Sequence, residues 1–144
     1  MMSNSNSIKE ILHVQQVIFR CINICALKEH ECKSKIINLL MVKDGEPLTK
    51  DEVAKINDLK AKAKDFDEKE NLLISHLGKF TDEALEKWKD EVSTLPENLK
   101  IAIGNVQAIG KTINDSIDTL DATLDIITGI ESAVTSIVDI LDII

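Results

Sequence analysis

The chain has 144 residues, with 25 acidic against 17 basic side chains and a formal charge of −8. One Trp, three Phe and no Tyr leave few of the rings that anchor sandwiches and ligand pockets, while five Gly and two Pro leave little material for turns. This composition fits one domain built from few, long helices, and the acidic balance works against nonspecific binding of nucleic acid or anionic lipid.

The charge is unevenly spread: residues 1–43 carry +3, residues 44–100 carry −5 and residues 101–144 carry −6. A basic first helix packed beside an acidic last one is the simplest expectation. Residues 1–7 read as a short polar leader without the basic and apolar regions of a signal peptide. The remainder, 8–144, reads as one helical domain.

The first helix is expected at about 8–42. Its apolar stripe runs Ile11, Val14, Ile18, Cys21, Cys25, Cys32, Ile36 and Leu39 at helical spacing. Gly45 and Pro47 then supply a turn. The second helix, at about 49–77, opens with Thr49 and Glu52, a capping box whose side chains satisfy backbone donors reciprocally. Val53, Ile56, Leu59, Ala63, Phe66, Leu73 and Leu77 form its core face, and Gly78 suits the position after its end.

Thr81 is expected to cap a short third helix at about 81–93, with Phe80 and Leu85 as a hydrophobic staple and Trp88 and Val92 continuing the face. Pro96 then starts a long last helix to about 143. Its seam reads Ile113, Ile117, Leu120, Leu124, Ile127, Ile130, Val134, Ile137, Leu141 and Ile144, at heptad-like steps with one short step at Ile130. Unbroken, such a helix spans roughly 70 Å, so it either breaks, with Gly104, Gly110 and Gly129 as bends, or overhangs. The fold class that follows is all-α: an up-and-down helical bundle of three long helices and one short one, with coiled-coil-like packing. Lys55, Lys62 and Lys69 recur every seven residues, as do Asp118, Asp125 and Asp139 with one gap, and rows of this kind can pair between helices.

No catalytic, cofactor or metal constellation is legible. Cys21, Cys25 and Cys32 share the apolar stripe of one helix, which makes them small core hydrophobes rather than zinc ligands with knuckle spacing. His13, His30 and His76 form no group, no phosphate loop is present, and the acidic loop after residue 43 lacks the alternating ligands of a calcium site. The chain is therefore not expected to be an enzyme. Core-facing cysteines suit a reducing, cytoplasmic compartment.

The C-terminal segment carries the functional expectation. Residues 137–144 are apolar in six of eight positions, more than one buried stripe requires. Ile130, Val134, Ile137, Val138, Ile140, Leu141, Ile143 and Ile144, with Trp88, are the candidate partner- or membrane-binding residues. The first reading is a noncatalytic interaction protein that self-associates or docks a protein partner through this helix. Glu131, Asp139 and Asp142, at roughly 2.5–3.5 kcal/mol each near a bilayer centre, argue against spontaneous spanning. In its architecture and its end rich in Ile, Val, Ala, Gly, Ser and Thr the chain nevertheless resembles α-helical pore-forming toxin components. That resemblance implies membrane insertion of the C-terminal region, with Gly129, Ser132, Ala133 and Ser136 permitting close helix contact and acid easing entry. A carrier of apolar ligands is a third reading.

Overall fold

The structure, a computed structural model, describes residues 3–88, 95–112 and 119–143, with side chains from residue 9 onward and not that of Trp88. The described chain is all-α, with four helices packed together: α1 (Ser3–Lys43), α2 (Lys50–Trp88), α3 (Glu97–Gly110) and α4 (Leu120–Ile143). Helix α1 already covers part of the expected leader. It ends where Asp44 (φ 47°) and Gly45 (φ 87°) turn the backbone left-handed and Glu46 N–H bonds Lys43 O at 3.0 Å.

The capping box forms as its spacing predicts. Thr49 N–H donates to Glu52 Oε1 at 2.8 Å and Glu52 N–H to Thr49 Oγ1 at 3.2 Å. Lys43 reaches the same carboxylate at 2.9 Å, tying the end of α1 to the start of α2. That ammonium and the capping bonds hold the Glu52 pKa below the usual range.

Two boundaries differ from expectation. The second and third expected helices are one, because α2 continues through Gly78. Leu73, Phe80 and Ala84 are fully buried at helical spacing in register with Leu59, Ala63 and Phe66, so one uninterrupted face packs inward. A helical glycine costs only about 1 kcal/mol, much less than that burial. Thr81 is not a cap; its hydroxyl accepts a hydrogen bond from Gln15 of α1 at 2.8 Å.

Conversely, the expected last helix is two. It stops at Gly110, where Lys111 N–H and Thr112 N–H return to Gln107 O and Ile109 O. It resumes at Leu120 behind Thr119, whose hydroxyl accepts the Ala122 N–H at 3.1 Å. The short helix is therefore α3, of 14 residues. Ile113, Ile117, Asp118 and Val92 lie outside the described residues.

Chain direction alternates, but the helices ring the core in the order α1, α2, α4, α3. Gln15–Thr81 and Lys43–Glu52 fix α1 and α2 as antiparallel. Lys62–Asp121, His76–Thr135 and Lys79–Asp142 fix α2 and α4 as parallel neighbours. The basic first helix meets the acidic last one only slightly; their contact is the smallest of the helix pairs that touch, and lysines of α2 face α4 instead. Of the charge rows, Lys62 bonds Asp58 and reaches Asp121, one turn before Asp125. At about 21 Å, α3 lies along the half of α1 that contains Val17, and leaves the end near the α1–α2 turn with three helices.

The glycines give a direct test. A Cβ on Gly110 would lie 2.9 Å from Val17 Cγ2 and 3.1 Å from Cγ1, and a buried, β-branched valine in a helix has little room to move. At Gly78 a Cβ meets nothing within 4 Å. Gly110→Ala is expected to destabilise by about 1–3 kcal/mol. Gly78→Ala is expected to stabilise by about 0.5–1 kcal/mol. Urea unfolding of the two variants checks both signs.

Candidate interaction surface

The structure places most of the C-terminal candidates inside the molecule. Ile130, Val134 and Ile137 are fully buried, Val138 and Leu141 nearly so, and Ile140 is half-buried. Only Ile143, 85 % exposed, faces water. Ile144 and the Trp88 side chain lie outside the described residues. The apolar excess of this segment is consumed by neighbours on several sides, since α4 packs against α2, α3 and, less, α1.

Its end is also fastened. Lys79 Nζ bonds Asp142 at 2.9 Å, and Lys87 Nζ donates to Leu141 O at 3.0 Å. Glu83 sits beside this pair, its Oε2 buried and, among the described residues, without a hydrogen-bond partner. Burial, then the adjacent Asp142 carboxylate, raises the Glu83 pKa, whereas Lys79 holds that of Asp142 down. With its folded pKa raised, Glu83 takes up a proton on folding between the ordinary glutamate value, near 4.5, and its raised value. Mild acid therefore tightens this corner, and Asp142 weakens it only below the ordinary aspartate range. Thermal melts should show the full chain gaining more stability than Glu83→Gln as pH falls from neutral toward the glutamate range. Equal gains would remove Glu83 as the cause.

The three cysteines are free thiols in the core. Burial pushes Cys21 and Cys25 up to about 12 and raises Cys32 as well, which leaves thiols without nucleophilic character near neutrality. His76 of α2 meets Thr135 Oγ1 of α4 at 3.3 Å. One cluster not anticipated from sequence joins Glu29 of α1 with Asp67 and Glu70 of α2, their carboxylate oxygens within 4.8 Å of one another. Glu29 also meets Lys33 at 3.4 Å, and burial, then Glu29 and Asp67, raises the Glu70 pKa. Near it a solvent-open groove of about 610 Å³ runs along the α1–α2 seam between Ile36, Ile37 and Ala63.

The apolar residues that do face water lie chiefly on α1. Leu12, Phe19 (55 % exposed), Leu27, Ile37 and Met41 (71 % exposed) recur on one side of the helix, opposite its core stripe. Gln16, Asn23, Ala26, His30 and Ser34 fill the positions between them, so from residue 12 to residue 41 this face carries no Lys, Arg, Asp or Glu. The outer face of α2 is ordinary by comparison, with Lys64, Glu68, Lys79, Asp82 and Glu86 among its exposed residues. The signal was present in the sequence as an absence of charge at 3.6-residue spacing, masked by the stronger stripe on the other side. With both sides apolar, the stretch Lys9–Lys43 is also long and apolar enough to cross a membrane by length and composition.

Comparison with known proteins returns nothing: no family model, no curated protein and no solved structure matches the chain.

Proposed function

We propose that this chain is a noncatalytic helical-bundle protein that works by protein contact, and that its contact surface is the outer face of α1 rather than the C-terminal helix. One contrast carries the reading: α4 spends most of its apolar side chains in the core, while α1 holds an uncharged, partly apolar strip in water over eight turns. Long exposed apolar strips are uncommon on monomers and mark contact sites, and helix faces of this spacing dock against other helices.

The test is site-specific photocrosslinking in cells expressing the full chain. A photoreactive residue at Phe19 or Ile37 should give protein adducts; one at Leu72, exposed on the outer face of α2, should not. Adducts from all three sites alike, or from none, would sink the reading.

The membrane-active reading is supported by the length and apolarity of α1. Insertion of α4 would require that helix to leave the core, and the Glu83 corner opposes this in mild acid. Dye release from neutral and anionic vesicles, near neutral and mildly acidic pH, separates the readings, because a protein-contact surface gives none.

A further inference from the structure

We infer that the occupant of the α1 outer face is the α1 of a second copy, laid antiparallel across a twofold axis. This rests on the contact reading above and narrows it to one partner.

The strip is its own complement. Taken through Leu12, Phe19, Ala26, Leu27, Ile37 and Met41 and the polar residues between them, its steps run 4-3-4-3-1-3-4-3-4, the same from either end. A reversed copy therefore places a side chain opposite each position of the strip, with Gln16 against Ile37 among the mixed pairs. Leu12 falls against Met41 of the second copy, Phe19 against Ser34, and Asn23 against His30, with Ala26 and Leu27 at the axis. The 29 residue steps from 12 to 41 make about eight turns of 3.6 residues, so the strip stays on one side of a straight helix without supercoiling.

The flanks agree with that register. In a twofold antiparallel pair each flank of a helix meets the same flank of its twin. One flank carries Arg20, exposed, and Glu31, half-buried. Reversal brings Arg20 of each copy across from Glu31 of the other, giving two symmetric ion pairs. On the other flank Lys33 comes opposite Ile22, so no like charges oppose each other. Among the described residues Glu31 meets Lys28 at a long 3.8 Å, and can turn to a partner across the interface.

The extent sets the strength. A strip about 44 Å long and about 10 Å wide buries on the order of 1,000 Å² over both copies, the lower edge of specific interfaces. Its two Asn–His layers are polar. The dimer is therefore reversible, with a dissociation constant on the order of micromolar or weaker.

Sedimentation equilibrium of the full chain, from dilute solution to near-millimolar concentration, reads this directly. The mass should rise from 16.0 kDa toward twice that value. Arg20→Glu and Glu31→Arg should each weaken association about tenfold, and the double variant should restore it by rebuilding the pair in reverse, with helical circular dichroism unchanged throughout. A monomer at every concentration, or a dimer indifferent to Arg20→Glu and to Phe19→Glu, would overturn the inference. Crosslinked adducts from Phe19 with a mass other than two chains would end self-pairing while leaving the contact reading standing. Absence of adducts from both Phe19 and Ile37 would end both.

Discussion

A chain ending at Gly129 should lose its cooperative unfolding transition. The cut removes Ile130, Val134, Ile137, Val138 and Leu141 from the core, and full burial of each aliphatic side chain contributes about 1.5–3 kcal/mol. Five of them match the whole net stability of a domain this size, about 5–15 kcal/mol. The cut also removes the Lys79–Asp142 bond and the carbonyl that Lys87 holds, and bares the facing sides of α2 and α3. Far-ultraviolet circular dichroism during a urea titration should show residual helix declining without a sharp midpoint. A midpoint near that of the full chain would make the segment a surplus end, as its composition first suggests, and would return it to the list of contact surfaces.

The two phenylalanines of opposite fate provide the second large effect. Phe66 is fully enclosed by the bundle, whereas Phe19 stands on the outer face of α1. Phe66→Ala should cost about 3–5 kcal/mol of stability, by lost transfer energy and by the void it leaves. Phe19→Ala should change monomer stability by no more than about 0.5 kcal/mol. Urea midpoints at low protein concentration measure both. A large loss from Phe19→Ala in dilute solution would mean that its ring packs within the monomer, and the outer face would cease to be a free surface.

Much of the fold was legible where a short stretch of chain decides the outcome. Thr49 and Glu52 are three residues apart and cap the helix they precede. Gly45 turns left-handed where the first stripe ends, and the cysteines lie on the face their spacing gives. What failed was the judgement of glycines, because identical residues meet different distant neighbours. Gly78 and Gly104 continue their helices with open space around them, while Gly110 is pressed against Val17, 93 positions earlier in the chain, and its helix ends there. The burial of the last helix went unread for a related reason. Apolar density in the last helix was read as exposure, yet a helix wedged between α2 and α3 on two sides has need of that density. The subtler strip on α1 is defined by what it omits, and a search for apolar peaks passes over it.

The shortness of α3 gives the molecule two ends of unequal rigidity. At the Val17 end, Ile11, Val14, Ile18 and Cys21 are sealed beneath four helices. Toward the turn, Ile36 and Leu39 are half-covered, and Leu40, Met41 and Val42 stand in water. Backbone amides along α1 should consequently exchange with deuterium in a gradient, slowest near residues 11–21 and fastest near 37–43, since local opening of the thin end forfeits little buried surface. A second copy bound along α1 would have to hold that loose end still to complete its last layers. Dimerisation would then be felt most as slowed exchange near Ile37 and Met41, well away from the twofold axis at Ala26.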